Sequence, residues 1–291
     1  MGNLHQQLDA LQRQLAAIQR RLDDVSSVDS VFVVGCPRSG TSVLSWALAE
    51  HPSFWTSSES NFLYEFAAPR GGVVSFLREA FEKGNARADG WLRTNGVGYE
   101  EFAANVGFGF HSLFASHSRG KRWVDSSTEN LLVAQELSLM FPKARFLHVV
   151  RDGRSVVASM LESGFVEPWA TDFTTACETW VRFVGAGLEF QEARSGRMLE
   201  VRNETMADDC DRIVEFLDEF PHPKVAEFLR ERRVNSSYGN VTPADLKRNK
   251  PPEVRPRREP WRGWSEERAA LFDELAGPMQ RRLGYGAARP A

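Results

Sequence analysis

The stretch VFVVGCPRSGTSVLSWALAEHPSFW, residues 31–55, decides the fold. Val31 to Val34 is a short apolar run rich in β-branched residues and without alternation, as a strand buried on both faces requires. Gly35 and Gly40 bracket the loop that follows, and a helical stretch from about Thr41 to Glu50 stops near Pro52. A loop that runs from a strand into a helix N-terminus presents backbone N–H groups and the positive end of the helix dipole to an anion. The segment reads as an anion cradle whatever its side chains are.

Those side chains narrow the ligand. The phosphate loop of nucleoside triphosphatases reads G-x-x-x-x-G-K-[ST]. Gly35 and Gly40 keep that spacing, but Thr41 and Ser42 follow with no lysine between, and Arg38 lies inside the loop. In a triphosphatase the lysine reaches the terminal phosphates, the Ser/Thr holds Mg²⁺ and an acid at a strand end completes the metal site. A second buried strand, Phe146 to Val150 in ARFLHVVRDG, ends in Arg151, with Asp152 next. Asp152 keeps a Mg²⁺-dependent kinase or triphosphatase open as an alternative. Cations at the loop and at a second strand end suit a ligand with two separate anionic groups.

Helical patterns fill much of the remainder, notably SVVASMLESG, FTTACETWVRFVGAGLEFQEAR, CDRIVEFLDEF and ERAALFDELAGPMQRRLGY, and a strand falls in RMLEVRNETM. Strands separated by helices imply crossover connections. The predicted class is α/β, a P-loop-containing three-layer fold with a central, mostly parallel sheet flanked by helices. Residues 28–291 form this main domain. Residues 1–27 precede it as an amphipathic helix with Leu4, Leu8, Leu11, Leu15, Ile18, Leu22 and Val25 on a heptad seam. That seam either pairs with a second copy in a homodimer or docks on its own domain. The proline-bearing segment VTPADLKRNKPPEVRPRREP reads as a long loop.

Composition bounds the rest. At 291 residues with 42% hydrophobic side chains the chain can bury a sizeable core, and its net charge of -3 lacks the basic excess of a nucleic-acid binder. No apolar run approaches a membrane span, and no signal peptide is legible, so the expectation is a cytoplasmic protein. Cys36, Cys177 and Cys210 are odd in number and widely spaced, which fits neither a disulfide framework nor a metal site.

The motifs, taken together, resemble the sulfotransferases that use 3′-phosphoadenosine 5′-phosphosulfate (PAPS). GCPRSGTS looks like their 5′-phosphosulfate loop, with Arg38, Ser39, Gly40, Thr41 and Ser42 on its binding positions. VVRDGRSVVASM looks like their 3′-phosphate segment, with Arg151 and Ser159 as its binding residues. EVRNETM resembles the family's R-Y-E-x-L segment, with Asn203 in place of tyrosine, and EPWRGWSEE followed by RRLGY resembles its C-terminal ending. The four blocks lie in family order over about residues 30 to 285.

The resemblance implies transfer of a sulfuryl group from PAPS to a hydroxylated small-molecule or carrier-bound acceptor by in-line displacement, with no metal. In the tyrosylprotein sulfotransferase-like branch, which these motifs match best, a glutamate takes the acceptor's proton. Glu59, in HPSFWTSSESNF, stands at the matching position, with His111 and His117 as the histidine alternatives. Catalysis is therefore expected of Glu59 and Arg38. Two further cofactor contacts follow by position: Tyr238, in NSSYGNV, and Arg262, or Arg258, in the C-terminal loop. Ser126 occupies the place where many relatives carry a lysine that binds sulfate. Aromatic residues between the motifs, among them Phe54, Phe62, Tyr64, Phe110, Phe165 and Trp169, form either an apolar acceptor pocket or ordinary core. A different class also remains, a non-catalytic binding module carried on a coiled coil.

Overall fold

The computed structural model describes residues 30–68, 72, 81, 90–162, 169–231 and 259–286. The N-terminal heptad segment, Tyr238, Arg258 and the proline-bearing loop as far as residue 258 lie outside the described residues.

Five strands form one sheet in the order β2-β3-β1-β4-β5: β1 Val31–Gly35, β2 Phe54–Thr56, β3 Arg122–Asp125, β4 Arg145–Val150 and β5 Met198–Arg202. Every pairing is parallel, with Val31 opposite Arg145 and Gly35 opposite Val149 at the centre. All five residues of β1 are buried. Phe32 and Val34 join one core, with Trp123, Phe146, Trp180 and Phe183, while Val31 and Val33 join a second with Leu44, Leu147, Val149 and Ile213. Alternate side chains thus feed opposite faces, which is the three-layer arrangement expected.

The helices, in chain order, are α1 Thr41–Leu48, α2 Phe62–Ala67, α3 Tyr99–Ser118, α4 Ala134–Met140, α5 Gly153–Glu162, α6 Phe173–Ala193, α7 Cys210–Phe216, α8 Pro223–Glu231, α9 Glu266–Leu275 and α10 Gly277–Arg282. A short helix, Gly90–Thr94, and a 3₁₀ turn, Thr128–Val133, complete the elements used below. Helices α1, α7 and α8 cover one face of the sheet, and α3 to α6 and α9 cover the other. The predicted C-terminal helix divides into α9 and α10 where Gly277 and Pro278 interrupt it. Among the described residues no helix is long and apolar enough to cross a membrane.

Chain direction places the site. After β1 the chain moves outward to edge strand β2, and after β4 it moves the other way to β5. The carboxyl ends of β1 and β4, adjacent but leading in opposite directions, open the crevice in which parallel sheets bind ligands. Arg38 and Arg151 follow those two ends.

Helix α3 holds a glycine for packing. A Cβ on Gly107 would lie 1.8 Å from the carbonyl oxygen of Met140, at the end of α4. Gly107→Ala improves intrinsic helix propensity by about 1 kcal/mol, but the backbone contact cannot yield as a side chain would. Overpacking of this kind costs about 1–3 kcal/mol, so we expect a net loss, read as a lower urea midpoint at an unchanged slope.

Candidate active site

The cradle is built by backbone conformation first. Arg38 has φ of 72° and Gly40 φ of 107°, so the loop turns through the left-handed region twice before α1 begins. Its amide and carbonyl groups are held by a Ser39 N–H bond to the Cys36 carbonyl at 3.0 Å. Gly40 is the N-cap of α1 and supplies no side-chain cap. A Cβ there would meet Asn203 Nδ2 at 2.3 Å. Asn203, which follows β5, donates from that same Nδ2 to the Ser39 carbonyl at 2.8 Å. Asparagine in place of the family's tyrosine thus acts on the loop backbone, a role that a 164-residue separation hides from sequence inspection.

The two arginines are joined at the crevice. Arg38 Nε donates to Ser159 Oγ, on α5, at 3.1 Å, and Arg151 Nη1 donates to the Arg38 carbonyl at 3.0 Å. Arg38, Arg151 and Ser159 are therefore one cluster, although the sequence places them in two separate motifs. Ser39 is only 1% exposed, and its Oγ has no hydrogen-bond partner. A buried hydroxyl without a partner carries a desolvation cost, and a bound anion at the loop relieves it. Thr41 is also buried, and Ser42 half-buried. The loop, its orphaned hydroxyl and the two arginines fit a ligand bearing separated anionic groups.

Asp152 is committed elsewhere. Its Oδ1 accepts from Arg154 N, Arg154 Nε and Gln280 Nε2, each at 2.9 Å, and its Oδ2 accepts from Arg154 Nη2. Arg154 in turn stacks on Trp261 at 3.8 Å from the ring centre, and Gly153 N donates to Gln280 Oε1 at 3.0 Å. Glu204 accepts from Asp152 N and from Tyr285 Oη, and burial together with the Glu204 charge pushes the Tyr285 phenol well above its usual range. This network ties the C-terminal block to the strand end that carries Arg151. It also takes up the carboxylate that a metal-dependent triphosphatase would need. Arg262 pairs with Glu259 and lies over Trp261, 5.0 Å from the ring centre, with its side chain 57% exposed. Its described contacts lie with the C-terminal block.

Glu59 lines a cavity of about 800 Å³, together with Tyr64 and Glu65 from α2, Glu129 from the 3₁₀ turn, Trp169, and Glu178 and Arg182 from α6. The loop carrying Glu59 is pinned to the end of β3: Ser127 Oγ accepts from Asn61 N at 3.0 Å and meets Ser60 Oγ at 3.4 Å. Ser127 N and Asn130 Nδ2 both donate to Asp125 Oδ1, at 2.8 and 3.0 Å. Asp125 is 4% exposed, and burial pushes its pKa up against the hydrogen bonds from Ser60 and Ser127. Nothing in its sequence context marked Asp125 as the residue that fixes Ser127 and, through it, the Glu59 loop. Ser126, beside it, is buried as well.

Arg182 and Glu129, on the cavity wall, act on Cys36, inside the loop, through their charges and in opposite senses. Burial dominates there and drives the Cys36 thiol well above its usual value. The histidines lie elsewhere. His111 Nδ1 accepts from Trp123 Nε1 at 2.9 Å in the core, and burial lowers its pKa. His148 is fully buried in β4 with its pKa lowered to about 4 by desolvation, and His117 is exposed near the end of α3. Of the aromatic residues, Phe54 is core, Phe62, Phe66 and Phe110 pack on one another, and among the described residues Tyr64 and Trp169 line the cavity; Phe165 lies outside the described residues. Among the described residues the cavity lining is carboxylate-rich, with Glu59, Glu65, Glu129 and Glu178.

Similarity to known proteins agrees with this geometry. The chain is 30% identical over 132 residues to protein-tyrosine sulfotransferase 2 of Gallus gallus, covering 45% of this chain and 33% of that protein. It is 25% identical over 268 residues to protein-tyrosine sulfotransferase A of Caenorhabditis elegans, covering 88% and 67%. The chain thus spans about a third of the length of the Gallus gallus relative. In fold, it is similar to the sulfotransferase domain of the Synechococcus PCC 7002 olefin synthase, with a TM-score of 0.51 at 17% identity over 86% of this chain and 94% of that one. Residues 30–222, more than half of the chain, match the family described as "Sulfotransferase family". The chain belongs to the sulfotransferase family.

Proposed function

We propose that the protein transfers a sulfuryl group from PAPS to a hydroxyl of a small-molecule or carrier-bound acceptor, with Glu59 as general base and without a metal. The observation that carries this reading is the convergence of Arg38, Arg151 and Ser159 at the crevice between β1 and β4. Two arginines joined at one crevice suit a ligand with separated anionic groups, and the donor offers phosphates at its 3′ and 5′ ends. Membership of the sulfotransferase family supports the same reaction.

PAPS, when bound, supplies an activated sulfuryl group and a phosphate leaving group. The loop amides with Ser39, Gly40, Thr41 and Ser42 hold the 5′ end, and Arg151 and Ser159 hold the 3′-phosphate. Tyr238 and Arg262 are assigned the remaining donor contacts on their sequence positions. Arg38, bonded to Ser159 and carrying its carbonyl on Arg151, stands between the two ends. Its guanidinium meets the negative charge that grows on the leaving phosphate. As the acceptor oxygen bonds to sulfur and the sulfur–phosphate oxygen bond breaks, the acceptor's proton passes to the Glu59 carboxylate. The half-buried position of Glu59 on the wall of a cavity supports this role over that of a binding module with no chemistry.

The test is a transfer assay with sulfur-labelled PAPS, a panel of phenols and alcohols, and EDTA in the buffer. We expect label in an organic sulfate, with no gain on adding Mg²⁺. No transfer to any acceptor, or an absolute need for Mg²⁺, overturns the reading.

A further inference from the structure

The peptide that joins Ser39 to Gly40 has a direction that the loop itself does not fix. Ser39 N–H is bonded to the Cys36 carbonyl at 3.0 Å, and α1 takes over the chain at Thr41. Between them stands Gly40, with φ of 107°, in a region that glycine enters about as readily as negative φ. The peptide before such a residue can turn over by rotation about its two flanking bonds, carrying its N–H from one side of the loop to the other. In a trans peptide the C=O and N–H point in opposite directions. Whatever holds the Ser39 carbonyl therefore also aims the Gly40 N–H.

Asn203 holds that carbonyl. Its Nδ2 donates to Ser39 O at 2.8 Å, and its own N–H donates to the Val150 carbonyl, at the end of β4, at 2.8 Å. The nitrogen and not the oxygen of the side-chain amide faces Ser39, because a carbonyl can only accept. Asn203 follows β5 directly, so one residue ties together the ends of three adjacent strands: β5, β4 and, through the loop, β1. The seat exists because residue 40 has no side chain, since a Cβ there would stand 2.3 Å from the same Nδ2.

We propose that Asn203 is a positioning residue for the donor's 5′-phosphate: by holding the Ser39 carbonyl it turns the Gly40 N–H toward the anion, on the loop that also carries the Ser39 hydroxyl, buried and without a hydrogen-bond partner among the described residues. The proposal rests on the reading of this loop as the 5′ side of the donor site. Arg151 and Ser159, assigned to the 3′-phosphate, join the loop through Arg38, so loss of the Asn203 amide strikes the 5′ end.

The experiment titrates the full chain calorimetrically, in EDTA, with 3′-phosphoadenosine 5′-phosphate (PAP) and with adenosine 3′-monophosphate, which lacks only the 5′-phosphate. It is repeated on Asn203→Ala, which removes the donor, and on Asn203→Asp, which keeps the shape and turns a second acceptor on the Ser39 carbonyl. We expect the unaltered protein to bind PAP at least about tenfold more tightly than adenosine 3′-monophosphate, as a charged phosphate contact implies. Asn203→Ala loses about three- to tenfold in PAP affinity, the range of one hydrogen bond, and Asn203→Asp loses more, while adenosine 3′-monophosphate stays within about twofold in Asn203→Ala. A residue that merely supports the fold weakens both nucleotides alike. Equal losses for the two nucleotides, or a PAP preference that survives both substitutions in full, overturn the role of Asn203 and leave the donor reading standing. An unaltered protein with no preference for PAP removes the 5′ cradle and, with it, both readings.

Discussion

Glu59→Gln lowers turnover by about 10²–10⁴, the usual contribution of a positioned general base, while affinity for PAP stays within about threefold. Glutamine keeps the length and the hydrogen-bonding reach of the side chain and removes only its capacity to take a proton. Glu59 lines the cavity, whereas Arg38 bonds Ser159 and Arg151 bonds the Arg38 carbonyl, so the proposal assigns proton transfer and donor binding to different residues. The sharper form of the expectation uses two acceptors. A phenol of low pKa arrives ionised and hardly needs a base, so the loss is small with it and large with an aliphatic alcohol. Steady-state kinetics on both acceptors checks this. Equal losses exclude Glu59 as the base and turn attention to Glu129, the other half-buried carboxylate of the cavity wall.

Arg38→Ala damages binding and chemistry together. Its guanidinium donates to Ser159, and its carbonyl accepts from Arg151, so the residue joins the loop to the 3′-phosphate segment from both ends. Removing a charged hydrogen bond to a phosphate costs about 1.5–3 kcal/mol, at least about tenfold in affinity. Removing a group that meets charge developing on the leaving phosphate costs a further factor of about 10²–10³ in the chemical step. The non-glycine left-handed conformation at residue 38 is unaffected by this choice of substitution, because alanine bears the same Cβ. Single-turnover rates at saturating PAPS isolate the second effect from the first. A variant that weakens PAP binding and leaves the saturated rate unchanged would confine Arg38 to holding the donor.

The parts of this site that lay in local pattern were legible, and those made by distant contacts were not. β1 and β4 are apolar but for Arg145 and His148 and were located to within a residue, because a strand buried on both faces declares itself, whereas β5, half-buried and bearing Glu200 and Arg202, was placed only within the stretch 197–206. β2 is three residues long and β3 runs from Arg122 to Asp125, too short and too charged at the ends to show a period. Helix α3 escaped because Gly107 and Gly109 lower its intrinsic propensity; at Gly107 the close approach of Met140 explains the residue. The cradle glycines, Arg38 and Arg151 stood out as motifs, but the link from Arg38 to Ser159 spans 121 residues and that from Asn203 to Ser39 spans 164. The carboxylates lining the cavity had no local signature at all, since Glu65, Glu129 and Glu178 come together only when α2, the 3₁₀ turn and α6 are packed on one side of the sheet.

The central claim is that the crevice between β1 and β4 reads two separate anionic groups on one nucleotide. The most direct measurement is calorimetric titration of the protein, in EDTA, with PAP and with adenosine 5′-monophosphate, which differ only in the 3′-phosphate. Arg151 and Ser159 are the groups assigned to that phosphate, and charged contacts of this kind are worth about 1.5–3 kcal/mol. PAP should therefore bind at least about tenfold more tightly, and Arg151→Ala should remove most of the difference. Equal affinity of the two nucleotides for the unaltered protein would contradict the account.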